Sequence, residues 1–172
     1  MDVLTAIGVD VSKHYLIDDS GCWDVYGVLT TVAAENAAAT GVIVVAAAGN
    51  RGDTTYVVNA PSVGDAVISV AAAGAEGASF SARGPRRFGS APKPALAAPG
   101  VGIFTAEYGT GSGGRPTSGT SLAAPHVAGA VALLLQRYPE RTNTEIKALL
   151  MNSAVSAIGP AGADEELLYS PV

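Results

Sequence analysis

Continuous apolar runs alternate with Gly-rich polar segments along the chain, and two of these runs predict strands that are buried on both faces. Residues 42–48 read VIVVAAA and residues 66–73 read AVISVAAA, without the alternating polar positions of a half-exposed strand. The Ala-rich residues 29–40 predict a preceding helix, which Gly41 caps at its C-terminus. This order predicts an α/β fold with a mainly parallel sheet flanked by helices.

The outer parts of the chain add shorter elements. Short apolar segments predict three further strands, at residues 3–7, 95–98 and 103–106. A helix is expected from Thr120 or Ser121 to about Tyr138; it is apolar on all sides, which places it at the centre of the domain. The segment TNTEIKALLMNSA predicts another helix, begun by a capping box of Thr142 and Glu145. Residues 155–172 form a Gly-, Pro- and acid-rich tail that we expect to be peripheral.

Composition narrows the functional classes. The chain has 172 residues, enough for one domain, and a net charge of −5 that argues against a nucleic-acid-binding role. Cys22 is the single cysteine, so an internal disulfide is impossible. No apolar window reaches about 18 residues, so no membrane span is expected. The first residues lack the pattern of a signal peptide, and we expect any export signal to lie outside this chain.

Ser121 and His126 are the first candidates for chemistry, because they lie five residues apart at the start of the long apolar helix. Helix geometry separates them by about 140° around the axis and about 7.5 Å along it, so His126 cannot act as the base of Ser121. We expect His126 to be a packed histidine. Ser121 is either an accessible nucleophile at a helix N-terminus, where developing negative charge is favoured, or, like Thr120, only an N-cap.

Asn50 is the second candidate, because it follows the first buried run directly. Ligands of parallel α/β sheets bind beyond the carboxyl ends of the strands, and a side-chain amide there can donate to an oxyanion. The alternative is a turn asparagine that tolerates left-handed backbone geometry.

Four segments, in order, resemble those of the subtilisin-like serine proteases: GVIVVAAAGN, FSARGP, KPALAAPGVGIFTA and GTSLAAPHVAGAVALL. The segment DVLTAIG resembles the strand that lines one side of their substrate cleft, although Ala6 stands where the family usually has serine. The resemblance covers residues 2–154. It implies a single partial peptidase domain over residues 1–172, with a three-layer subtilisin-like fold that is incomplete at its N-terminal side.

The resemblance also implies roles for particular residues. Ser121 would attack the scissile carbonyl, and Asn50 would donate to the resulting oxyanion. The residue before the cleaved bond would lie in a pocket with small walls that admits sizeable apolar side chains. The residues implied as walls of this pocket are Ile7, Gly8, Ala47, Ala48 and Gly49.

The family's catalytic Asp and His motifs have no counterpart in this sequence, which implies that an N-terminal half supplies them and that this chain alone is nearly inactive. Two alternatives remain. One is a noncatalytic module that binds peptides on a degraded protease fold. The other is a different hydrolase, such as an esterase, that uses His14 with the neighbouring Asp18 or Asp19.

Further implications of the resemblance concern substrate, metal and location. The substrate would be a protein or peptide, and the protein would be secreted. No cofactor is required for the chemistry. Calcium stabilises many members of this family, but no ligand set can be assigned here; the loop at residues 59–65 is the weak candidate.

Overall fold

The computed structural model describes residues 25–52, 59–75, 78–86 and 91–155. The predicted strand at residues 3–7, the cleft candidates Ile7 and Gly8, and the alternative base His14 lie outside these ranges. The tail beyond residue 155 also lies outside them.

Three strands form a parallel sheet, as the buried apolar runs predict. Their order across the sheet follows the chain: β1 (Val45–Ala47), β2 (Ile68–Ala73) and β3 (Leu96–Pro99). Val45 pairs with Ile68, and Val70 pairs with Leu96. Because the strands are parallel, their carboxyl ends lie at one edge of the sheet, where the segments that follow them meet.

A helix packs on each face of this sheet. Helix α1 (Val25–Ala39) contributes Ala34, which packs with Ala46 of β1 and with Val67. Helix α2 (Thr120–Arg137) packs on the opposite face, where Val127 belongs to the same buried cluster as Ile68 and Val70. Alternate strand residues point to opposite faces, which explains why neighbouring positions of one strand contact different helices. The result is the predicted three-layer α/β arrangement.

The last described helix, α3 (Asn143–Ser153), is begun by the predicted capping box. The Thr142 hydroxyl accepts from the Glu145 backbone N–H, and the Glu145 carboxylate accepts from the Thr142 backbone N–H at 2.9 Å. This backbone hydrogen bond, together with one from Arg141, lowers the pKa of Glu145. Ile146 on this helix is fully buried in the main core, so α3 closes one side of it.

A two-stranded antiparallel hairpin leads from the sheet to α2. It consists of β4 (Ile103–Ala106), which confirms the predicted strand, and β5 (Gly114–Thr117). Gly102 N–H donates to the Ser118 hydroxyl at 2.9 Å, and Gly119 N–H donates to the Gly100 carbonyl at 2.8 Å. These bonds close the base of the hairpin and fix the point at which α2 begins.

The first strand is shorter than its sequence predicts. Gly41 follows α1 with a positive φ of 94°, which confirms the predicted C-terminal cap. The predicted strand at residues 42–48 is reduced to Val45–Ala47, and Val42 is 52% exposed. The ladder begins only where the Ile68 N–H donates to the Val44 carbonyl, so the β-branched residues before that point have no partner strand in β2.

The prediction that α2 is buried on all sides is also wrong for the part of the chain that the structure describes. Its buried residues share one face: Thr120, Ala123, Val127 and Val131. Leu133, by contrast, is 68% exposed. The described sheet and α3 cover only this one face of the helix, which leaves apolar residues uncovered on the other.

We predict that Ile146→Ala lowers the free energy of unfolding by about 2–5 kcal/mol, because it leaves a cavity in the main core. Leu149→Ala, on the exposed face of the same helix, is the matched control and should cost less than about 1 kcal/mol. Urea unfolding followed by circular dichroism measures both. Equal losses for the two variants would show that α3 does not close the core.

Candidate active site

The candidate site lies where the carboxyl end of β1 meets the N-terminus of α2. Asn50 follows β1, and its side-chain oxygen accepts two hydrogen bonds from Thr120, from the backbone N–H and from the hydroxyl, both at 2.9 Å. The Thr120 hydroxyl in turn accepts from the Gly49 N–H at 3.2 Å. Thr120 is fully buried, so these bonds fix the end of the strand against the first turn of the helix.

The two Thr120 donors determine which way the Asn50 amide points. A backbone N–H can only donate, so the atom facing it must be the amide oxygen. The amide nitrogen therefore faces away from Thr120. It lies beside Gly119, where an added Cβ would be 3.5 Å from it. Asn50 and Ser121 are both exposed. The amide of Asn50 and the hydroxyl of Ser121 are therefore both presented to solvent at the N-terminal end of α2.

Helix α2 begins without a side-chain cap. Gly119 is its N-cap residue, Thr120 is its first residue and Ser121 its second. The alternative that Thr120 or Ser121 serves only as the N-cap is therefore wrong. The hydroxyl of Ser121 lies in the first turn, where the helix dipole places positive partial charge. This position favours an anion that develops next to the hydroxyl.

The predicted pocket wall, Ala47–Gly49, is held by backbone hydrogen bonds on several sides. Ala48 N–H donates to the Val70 carbonyl at 2.9 Å, and the Ala48 carbonyl accepts from Asn59 N–H at 3.0 Å. Gly49 has a φ of 114°, and a Cβ added there would lie 2.5 Å from the amide nitrogen of Asn59. Glycine is therefore required at this position, and the Asn59 side chain lies directly against the wall.

His126 is exposed, so the expectation that it is a packed histidine is wrong. Its Nδ1 is 2.8 Å from the Leu122 carbonyl, one turn earlier on the same helix. The face on which it lies is the one that the described elements leave uncovered. It is the only histidine in the described ranges, and its Nδ1 contact is with its own helix and not with Ser121.

The structure thus brings together Asn50, the three wall residues and the helix turn that carries Ser121. Sequence reasoning missed Thr120 and Asn59 as parts of this site. A threonine directly before the candidate serine was considered only as a cap, and no local pattern links Asn59 to Gly49. The described residues contain no cluster of three potential metal ligands, and none of the described helices has the length and apolar character to cross a bilayer.

Comparison with known proteins identifies relatives over most of the chain. The sequence profile of the Subtilase family matches residues 17–169. The serine protease AprX of Bacillus subtilis is 37% identical over 141 residues, which cover 70% of this chain and 32% of AprX. Subtilisin DY of Bacillus licheniformis is 37% identical over 130 residues, which cover 72% of this chain and 43% of the relative. The chain thus spans well under half of each relative.

Solved structures show the same fold. A cold-adapted subtilisin-like serine proteinase superposes with a TM-score of 0.64 at 30% identity, covering 76% of this chain and 45% of that one. Sphericase superposes with a TM-score of 0.66 at 29% identity, covering 81% of this chain and 49% of that one.

We predict that Thr120→Val lowers the free energy of unfolding by about 1–3 kcal/mol, because the Gly49 N–H loses its acceptor and the Asn50 oxygen loses a donor. Thr120→Ser keeps the hydroxyl and should recover most of this loss. Urea unfolding of the two variants measures the difference. A valine variant as stable as the serine variant would show that the hydroxyl does not hold the site together.

Proposed function

The chain belongs to the subtilase family of serine proteases, and from this premise we propose that its β1–α2 site hydrolyses peptide bonds as part of a serine-type endopeptidase. The observation that carries the proposal is the hydrogen-bonded contact of Asn50 with Thr120. It holds the Asn50 oxygen at Thr120, so that the Asn50 amide nitrogen lies beside Gly119, the residue before the turn that presents Ser121. A nucleophile and an oxyanion donor require this juxtaposition.

In the proposed reaction, the Ser121 oxygen attacks the carbonyl carbon of the scissile bond, and its proton passes to a base. The carbonyl oxygen becomes the oxyanion of a tetrahedral intermediate. The Asn50 amide nitrogen and the Ser121 backbone N–H are the donors proposed for it, since the Thr120 N–H is bonded to the Asn50 oxygen and the Leu122 N–H to the Gly119 carbonyl. The base then returns the proton to the leaving amine, and water releases the acyl group from Ser121 in a second cycle.

The base and its orienting carboxylate come, we infer, from an N-terminal half that carries the family's Asp and His. Two observations support this. His126 bonds to its own helix, and the apolar residues on the uncovered face of α2 suit a covering layer. Without the base, the site should retain only the residual catalysis of about 10³–10⁴ over water that oxyanion binding gives. The described chain alone should therefore be nearly inactive.

The substrate is proposed to be a protein or peptide whose residue before the cleaved bond lies against Ala47–Gly49. The small side chains of this wall leave space for a sizeable apolar residue. The Asn59 amide, packed against Gly49, adds a polar group to this side of the pocket. We also propose that the protein acts outside the cell, since one relative of 42% identity over 93 residues is the minor extracellular protease Vpr of Bacillus subtilis.

We predict that a serine-directed peptidyl phosphonate labels Ser121 when this chain is combined with a segment that carries the missing Asp and His motifs. The label forms because the base activates the hydroxyl and the oxyanion donors hold the phosphonyl oxygen. Intact-mass measurement followed by peptide mapping locates the label. Asn50→Leu should slow labelling by about 10²-fold, since loss of one such amide in subtilisin costs about 10²–10³ in rate.

Ser121→Ala in the same complex is the control and should remain unlabelled. A well-folded complex in which wild-type Ser121 also stays unlabelled would refute the nucleophile assignment. If that complex still bound peptides, with an affinity unchanged by Ser121→Ala, the noncatalytic peptide-binding alternative would replace this proposal.

We predict that phosphonates with leucine or phenylalanine before the reactive group label the complex faster than one with alanine, because the Ala47–Gly49 wall leaves room for them. The ratio of second-order labelling rates measures the preference. Asn59→Ala should increase this ratio, and Asn59→Asp should decrease it. Faster labelling by the alanine compound would show that the pocket admits only small side chains.

A further inference from the structure

The loop named above as the weak calcium candidate directs its carbonyl oxygens at side chains of this same chain. Four carbonyls between residues 63 and 67 accept from three cationic side chains. The pairs are Arg86 with Val63 at 3.0 Å, Lys93 with Gly64 and with Val67 at 2.8 Å, and Lys147 with Asp65 at 2.6 Å. We call these four oxygens the carbonyl cradle.

Lys93 is the central cation of the cradle. Its side chain is 6% exposed, and its amino group donates to the carbonyls of Gly64 and Val67. A buried amino group has lost its water, so it depends on these two oxygens for hydrogen bonding. Arg86 and Lys147 are less buried and lie at the sides, and Lys147 also approaches the Val67 carbonyl, at 3.4 Å.

The cradle does not fit calcium. Calcium requires six to eight oxygen ligands, usually including carboxylates. Both nearby carboxylates already have partners: Asp65 accepts from Arg86 at 2.7 Å, and Glu35 accepts from the Ala66 N–H at 3.0 Å. The Glu35 carboxylate is also packed against the Gly64 backbone, since a Cβ added at Gly64 would lie 2.5 Å from a Glu35 oxygen.

Charge counting points to a single positive charge at the centre. Without Lys93, the two cations Arg86 and Lys147 balance the two anions Asp65 and Glu35. When Lys93 is protonated, its amino group therefore adds one net positive charge next to the carbonyl oxygens. A divalent ion in its place would add two positive charges to a site whose other charges already cancel, so its larger desolvation penalty would go uncompensated.

We propose that Lys93 is a tethered cation, whose amino group occupies two of the four cradle oxygens in place of a free ion, and that truncating its side chain frees these two oxygens as a binding site for a monovalent cation such as ammonium or potassium. The loop that carries Asn59 is then held by the chain itself and not by calcium. Because the cradle lies outside the catalytic machinery, this inference stands independently of the proposed protease function.

Protonation changes the charge of the Lys93 amino group, but the amino group occupies the cradle in both protonation states. Burial lowers the pKa of Lys93 to about 7, and the Lys147 charge acts in the same direction. A neutral amine still has two N–H groups, one for each of its two carbonyls. The native state thus binds fewer protons than the unfolded state between about pH 7 and the ordinary lysine pKa of 10.5, so this group makes the protein more stable as pH rises through that window.

The test is thermal unfolding of the full chain at pH 6, where Lys93 is charged, for wild type, Lys93→Ala and Lys93→Met. Each is measured in ammonium, potassium and tetramethylammonium chloride at equal ionic strength, and in calcium chloride against EDTA. Lys93→Ala should melt below wild type, and ammonium or potassium should raise its midpoint by about 2–4 °C over tetramethylammonium, which is too large to enter. Lys93→Met fills the space with an apolar chain, so it should be destabilised and insensitive to the choice of ion.

Three results would overturn the proposal: a Lys93→Ala midpoint that is independent of the cation, an equal ion effect in wild type, or a calcium effect that is larger in Lys93→Ala than the potassium effect. If Lys93→Ala does not fold at low salt, its soluble refolding yield in the same salts replaces the midpoint. Recovery in ammonium or potassium alone supports the proposal, and equal yields in every salt refute it.

Discussion

One contact, between the Asn50 carboxamide and Thr120, determines which atom of the Asn50 side chain the proposed β1–α2 site presents. An asparagine side chain can present either its oxygen or its nitrogen, and only the nitrogen attracts a developing oxyanion. The two donors of Thr120 hold the oxygen, so the nitrogen has to face the opposite way. The same Thr120 hydroxyl accepts from the Gly49 N–H. It therefore holds both the predicted pocket wall and the Asn50 amide against the first turn of α2.

Features governed by neighbouring residues could be predicted from the sequence. Gly41 caps α1 because glycine adopts positive φ at little cost, and Thr142 and Glu145 begin α3 because each satisfies the other's backbone N–H. The apolar run at residues 66–73 was likewise predicted correctly as a buried strand, because its continuous apolar side chains are typical of a strand covered on both faces. The run at residues 42–48 shows the limit, because a strand extends only as far as its partner pairs with it.

Contacts between distant residues could not be predicted. Thr120 reaches Gly49 across the fold, Asn59 packs against the same glycine, and the Lys93 amino group donates to the carbonyls of Gly64 and Val67. Each of these side chains is ordinary in its local sequence: a cap, a turn residue and a surface cation. The expectation that His126 is packed was wrong because the burial of a residue depends on which elements cover its helix. The pattern of apolar residues shows only how apolar the helix is.

The sequence distance of the central contact has a kinetic consequence. Gly49 and Thr120 are separated by 71 positions, and β2, β3 and the hairpin lie between them along the chain. Closing so long a loop is entropically costly until the intervening strands have paired, so the contact belongs among the last to form during folding. The proposed site would therefore be assembled only after the sheet and the hairpin have formed.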